Sequence, residues 1–209
     1  MLGKLRPITS SFVRIMAYPF AVLKINPNLF SSLAVPLSIA AAYYLSARGF
    51  YPAFILALLA VSIDMFDGAV ARLQGRTTLF GNYFETMVDK AVEIILFIGA
   101  SLIHPLAAAF ALGFSMLASY AKPRVALVIV TDNRDWPAIG EHSERMLLLL
   151  AGIFLSVFSI TVGNATILEI SLWAIALVAM LGTIQRVFYA KKLIEEAEEK
   201  GNVLPYLKK

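Results

Sequence analysis

The chain has no cysteine. Disulfides and thiol catalysis are therefore excluded. Charge is also scarce: Asp, Glu, Lys and Arg make up 15% of the 209 residues, against 59% apolar, and the mean hydropathy is +0.77. Soluble domains carry about 25% charged and about 45–50% apolar residues, so this composition indicates an integral membrane protein. No ten-residue segments alternate with period two, which argues against a β-barrel. No linker, low-complexity stretch or internal repeat divides the chain, so a single domain over residues 1–209 is expected. No basic–aromatic pattern is present, and no nucleic-acid partner is expected.

What the chain does have is apolar runs of about 20 residues, enough for a helix to cross a hydrocarbon core of about 30 Å. They fall at 29–47, 50–71, 79–103, 105–130, 145–163 and 165–189. The expected fold is all-α: a polytopic membrane protein with six transmembrane helices. Residues 1–24 mix four basic residues with apolar ones and suit an amphipathic helix lying in the membrane interface. The expected break at Pro19 and the lack of a small-residue cleavage site argue against a signal peptide. Residues 191–209 are expected to be a charged cytoplasmic tail, a helix end followed by a loop.

Six spans put both termini on one side. All but two of the 18 Lys and Arg then share that side, Arg134 and the C-terminal lysines included; the exceptions are Arg48 and Lys90. The positive-inside rule makes that side cytoplasmic, and the net charge of +4 adds attraction to anionic headgroups. His104 and Glu169 fall near the outer face, where an interfacial role is expected.

Against this background the carboxylates of SIDMFDGAVARLQGRTTLFGNYFETMVDKAVEIILF stand out: Asp64, Asp67, Glu85, Asp89 and Glu93. Asp64 and Asp67 are three apart and share one helix face; Glu85 and Asp89 are four apart and share another. A short connection makes their helices antiparallel neighbours, so the pairs meet at similar depth near the cytoplasmic side. Four converging carboxylates repel at low dielectric and must protonate or find cations. A hard divalent ion, or two about 3.5–4 Å apart, resolves this and keeps positions open for substrate phosphates. The plainer alternative is salt bridging to Arg72 and Lys90, but ionisable groups at membrane depth are costly and are functional by default. Gly68 and Gly81 remove side chains beside the site, and Arg72 supplies a guanidinium suited to a diphosphate. The residues thus indicate a metal-dependent site for a phosphorylated substrate at the cytoplasmic interface. A cation transporter is the competing class. It would show broken or repeated helices at mid-bilayer.

The run DMFDGAVAR, eight residues, then GNYFETMVD resembles the signature of the CDP-alcohol phosphotransferase family, D-x-x-D-G-x-x-A-R…G-x-x-x-D-x-x-x-D. Asp64, Asp67, Gly68, Ala71, Arg72, Gly81 and Asp89 match, and Glu85 stands where the family usually has a third aspartate. NPNLFS, opening the first span, resembles the family's P-N-x-x-T/S start. The resemblance implies that a CDP-linked lipid, CDP-diacylglycerol or CDP-archaeol, loses CMP as an acceptor hydroxyl attacks phosphorus. It implies that Asp64, Asp67, Glu85 and Asp89 hold two Mg²⁺ or Mn²⁺ ions and that Asp89 is the general base. It further implies that Gly68, Ala71, Arg72 and Gly81 line the CDP-lipid site and that the protein is a homodimer.

For the acceptor, SYAKPRVAL and IGEHSERMLLLLAG resemble segments of phosphatidylinositol-phosphate and archaetidylinositol-phosphate synthases, with Pro123, Ala126 and His142 departing from the usual pattern. Lys122, Arg124 and Arg145 are the expected cluster for an anionic acceptor such as inositol 1-phosphate. Ordinary positive-inside loop charge is the alternative. Glycerol 3-phosphate needs similar charge and serine needs less.

Overall fold

The computed structural model describes residues 6–130, 136–137, 139–202 and 204, without the side chains of 6–12 and 64–65. Lys4, Arg134, Lys208 and Lys209, and the side chains of Arg6 and Asp64, therefore lie outside the described residues. The chain is mostly helical. Helices α1 (Arg6–Val22), α2 (Pro27–Ser32), α3 (Ala34–Ser46), α4 (Phe50–Leu73) and α5 (Leu79–Ser101) are followed by α6 (Pro105–Val125), α7 (His142–Ser156) and α8 (Ile167–Glu199). Before α8, two-residue strands β1 (Thr161–Val162) and β2 (Ala165–Thr166) pair antiparallel.

Among the described residues, three segments are long and apolar enough to cross a membrane: Pro27–Ser46, Phe50–Leu73 and Ile167–Glu199. Each of the other expected spans contains a helix. However, α5 carries Glu85, Asp89, Lys90 and Glu93, and α6 ends in Lys122 and Arg124. Helix α7 has 15 residues, a rise of about 22 Å.

Element boundaries differ from expectation for local reasons. The first span is two helices meeting at Leu33. Proline lacks an N–H and its ring clashes with the carbonyl four residues back, so restarting the ladder at Ala34 places Pro36 in a first turn where that N–H is not needed. Pro19 does not break α1, which continues to Val22; its ring is exposed, and the Leu23 N–H picks up the Pro19 carbonyl at 3.1 Å. The charged tail opens as a helix end: α8 continues beyond the apolar span through exposed Lys191–Glu195 and Lys192–Glu196 pairs to Glu199, just before Gly201 at φ +67°.

The chain forms two compact units, Met1–Pro105 with Ile153–Phe158, and Leu106–Gly152 with Ser159–Lys209. In the first, α4 packs against α1, α2, α3 and α5, and α5 also packs against α2 and α3. Small residues permit this. Ala53, Ala57 and Ala60 recur at helical spacing on α4 and are buried; in lipid, close packing of such faces does the work that water exclusion does elsewhere. At Gly99 a Cβ would lie 2.6 Å from the Ala42 Cα, so only glycine lets α5 approach α3 this closely. Ala17, Phe30, Ala69 and Val70 form the core where α1 and α2 meet the end of α4. The Gln74 amide secures it, donating to the Ile25 carbonyl at 2.9 Å.

In the second unit, Leu168, Leu172, Ile175, Ala179, Gly182 and Arg186 form one buried stripe on α8. The segment Ile139–Gly140 is pressed against it: a Cβ on Gly182 would overlap the Ile139 carbonyl.

Candidate active site

The acidic motif occupies the end of α4 and the start of α5. Thr78 caps α5, its hydroxyl oxygen accepting from the Gly81 N–H at 2.9 Å, and this satisfies one of the free donors of the first turn. The opposing corner comes from α2. Asn26 caps that helix and Pro27 takes its first position, where a missing N–H costs nothing. NPNLFS is thus a helix start, and it points Asn28 and Ser31 toward the motif.

Asp67 is 3% exposed. Its Oδ2 accepts from the Ser31 hydroxyl at 2.5 Å and its Oδ1 from the Gly68 N–H at 2.6 Å. A Cβ on Gly68 would lie 3.4 and 3.6 Å from the Glu85 carboxylate oxygens and 3.3 Å from Arg72 Nη1. Glu85 therefore reaches across from α5 to the bare backbone of α4, and Arg72 folds back to the same spot. A Cβ on Gly81 would meet Thr78 Oγ1 at 3.0 Å and Asn28 Oδ1 at 3.4 Å. Asp89 is half-buried, one turn beyond Glu85 on the same face. Ala71 is half-buried and Arg72 exposed. The backbone of Asp64 lies in α4, one turn before Asp67. Among the described residues no three His, Asp or Glu side chains form a metal-holding group.

The other acidic residue of the stretch behaves differently. Glu93 is fully buried, and Lys90 Nζ donates to its Oε2 at 2.6 Å. Lys90 thus makes the salt bridge, and it does so with Glu93.

The residues present fit a hard divalent cation. The motif's donors are carboxylate oxygens only, the Asp67 carboxylate is buried yet held by two donors, and the space a Gly68 side chain would fill is left beside Glu85.

The expected acceptor residues lie in the second unit. Lys122 is half-buried and Arg124 exposed at the end of α6. Arg145 is 1% exposed; its guanidinium donates to the Gly140 carbonyl and, at 3.1 Å, to Ser119 Oγ. Glu144 Oε2 accepts from the Gly140 N–H at 3.0 Å. Arg186 was expected only as loop charge, but it is buried in the α8 stripe and donates to the Ala118 carbonyl at 2.9 Å. Two guanidinium groups thus hold adjacent residues of α6. The available signal for Arg186 was its place on the seven-residue apolar repeat of α8.

The profile of the CDP-alcohol phosphatidyltransferases matches residues 24–185, through both units. The chain belongs to that family. The archaetidylinositol phosphate synthase of Pyrococcus horikoshii is 26% identical over 201 residues, covering 93% of this chain and 99% of the relative. The CDP-diacylglycerol–glycerol-3-phosphate 3-phosphatidyltransferase of Wigglesworthia glossinidia brevipalpis is 29% identical over 174 residues, 78% of this chain and 91% of the relative. Among solved structures, the phosphatidylinositol phosphate synthase of Mycobacterium tuberculosis in complex with manganese and citrate superposes with TM-score 0.73 at 19% identity, covering 94% of this chain and 92% of the other. Its likeness establishes a shared fold. As a CDP-alcohol phosphatidyltransferase, the chain is a transferase with membrane-spanning helices.

Proposed function

We propose that the protein transfers a phosphatidyl-type group from a CDP-linked lipid, CDP-diacylglycerol or CDP-archaeol, to inositol 1-phosphate and releases CMP. The observation that carries this is the corner where Asp67, Gly68 and Arg72 of α4 face Glu85 of α5. Asp64, Asp67, Glu85 and Asp89 would hold two Mg²⁺ or Mn²⁺ ions, whose charge offsets that of the diphosphate and the departing CMP. Support for manganese comes from the mycobacterial synthase crystallised with it. Asp89 takes the acceptor's hydroxyl proton as the oxygen–phosphorus bond forms and the bond to CMP breaks. Arg72 reaches the diphosphate with its exposed guanidinium. Gly68, Ala71 and Gly81 keep the CDP-lipid site free of bulk.

For the acceptor, Lys122 and Arg124 grip the phosphate. Arg145, already engaged by Gly140 and Ser119, supports this end of α6 from within, one turn before Lys122. The archaeal and mycobacterial relatives favour inositol 1-phosphate. The Wigglesworthia relative favours glycerol 3-phosphate as the second reading.

Around this site we assign a single family domain of six spans, with both termini and the active site on the cytoplasmic side of the cell membrane, and a homodimeric assembly. Helix α1 lies in the interface, docking Ala17 on α4 and leaving Ile15, Tyr18 and Val22 exposed.

The test is CMP release from a CDP-lipid with Mn²⁺ or Mg²⁺ and a panel of inositol 1-phosphate, glycerol 3-phosphate, inositol and serine. Inositol 1-phosphate should be preferred and Asp89→Asn should be inactive while folded. Efficient use of serine would retire the inositol-phosphate assignment. An active Asp89→Asn would remove Asp89 as the base.

A further inference from the structure

Ser31 is 3% exposed in a short helix 36 residues before Asp67, and its hydroxyl lies 2.5 Å from Asp67 Oδ2 and 3.0 Å from the Pro27 carbonyl. A hydroxyl has one proton to donate. The shorter contact lies in the range of charge-assisted O–H···O⁻ bonds, about 2.5–2.7 Å, so the proton goes to the carboxylate. Asp67 Oδ1 is held from the other side by the Gly68 N–H at 2.6 Å.

This arrangement has a specific consequence. The torsion that orients an aspartate carboxylate is soft and roughly two-fold. The Gly68 N–H belongs to the next residue on the same helix and cannot alone prevent that rotation. A donor on a second helix, engaging the other oxygen, can. Each oxygen then accepts from one of two donors, and the plane of the carboxylate is set by where α2 packs on α4.

From this geometry we infer that Ser31 is a positioning residue for metal binding: it fixes the rotation of the Asp67 carboxylate in the orientation that meets the cation, resting on the metal-site assignment above. It does not act by contacting substrate, because it is buried and its only proton is committed to Asp67. Partners that orient ligating carboxylates typically change metal affinity by about 10- to 100-fold when removed.

The experiment is Mn²⁺ titration of the full-length protein in detergent, without nucleotide or acceptor, followed by the loss of the free Mn²⁺ electron paramagnetic resonance signal. Thermal unfolding of the same samples runs alongside. Ser31→Ala should bind Mn²⁺ about 10- to 100-fold more weakly than wild type. Ser31→Cys, which keeps the volume but donates poorly, should weaken in the same direction and covers the case in which the alanine variant fails to fold. Ser31→Thr keeps the hydroxyl and should bind near wild type. At saturating Mn²⁺ the KM for the CDP-lipid should be unchanged in Ser31→Ala. Wild-type Mn²⁺ affinity in the folded Ala or Cys variant overturns the inference. So does a raised CDP-lipid KM with intact Mn²⁺ affinity, which would make Ser31 a substrate contact. If wild type binds no Mn²⁺ while Asp67→Asn still turns over, the metal-site assignment itself fails, and the role of Ser31 fails with it.

Discussion

Replacing Gly68 with alanine separates what the helix prefers from what the site needs. In a helix interior alanine is favoured over glycine by about 1 kcal/mol, so by propensity alone α4 becomes more stable. The added methyl, however, would sit 3.3 Å from Arg72 Nη1 and 3.4 Å from the nearer Glu85 carboxylate oxygen. Comfortable contacts lie at about 3.5–4.0 Å. Each neighbour must therefore yield by a few tenths of an ångström. Arg72 does so cheaply, because Nη1 ends a flexible, exposed side chain. Glu85 must back away from α4, taking with it the carboxylate proposed to hold the metal. A misplacement of about 1 Å costs about a hundredfold, so a shift of a few tenths should lower kcat about three- to tenfold. Nothing in the backbone bond from Gly68 to Asp67 is lost. The expected signature is a Tm at or above wild type with CMP release reduced about three- to tenfold, measured on one detergent preparation. Wild-type turnover would refute the placement of Glu85 against Gly68. A fall in Tm with loss of activity in proportion would show a packing position and refute the reasoning equally.

Glu85→Asp restores the residue usual in this family and should retain substantial CMP release, whereas Glu85→Ala should not; equal activity of the two would show that no carboxylate is needed there. Gly99→Ala forces α5 off the Ala42 backbone and should lower stability by about 1–3 kcal/mol, while Gly113→Ala, with nothing within 4 Å of its Cβ, should raise Tm; matching thermal scans decide. Lys122→Ala and Arg124→Ala should each raise the acceptor KM about ten- to more than a hundredfold with little change for the CDP-lipid, the worth of one charge-assisted contact. Arg145→Ala should instead lower Tm, because it strips the buried Gly140 carbonyl and Ser119 of their donor at a cost of about 1–3 kcal/mol; an acceptor-specific KM effect without a Tm change would return Arg145 to direct contact with the acceptor.

Much of this was legible along the chain because the relevant spacings are local. Asp64 with Asp67, and Glu85 with Asp89, share faces through helical periodicity over three and four residues. The five-residue connection between α4 and α5 makes those helices neighbours. The caps at Asn26 and Thr78 and the first-turn Pro27 are likewise local chemistry. Where local reading erred, it misjudged how helices begin and end: Pro36 split the first span and Pro19 was absorbed into α1.

What sequence alone determined, then, is the helical membrane character, the family and the residues of the acidic motif, since composition, periodicity and spacing act within a few residues. Only the tertiary structure decided which partners those residues have. The bond from Ser31 to Asp67 spans 36 residues and exists because α2 packs on α4. Arg145 reads as an acceptor-binding cation in the sequence, yet it is buried because Gly140 and Gly182 let a loop close onto α8. Hydrogen bonds and burial depend on which faces of distant helices meet, and that is settled by the packing of small residues such as Ala53, Ala57, Ala60 and Gly99 rather than by any local pattern.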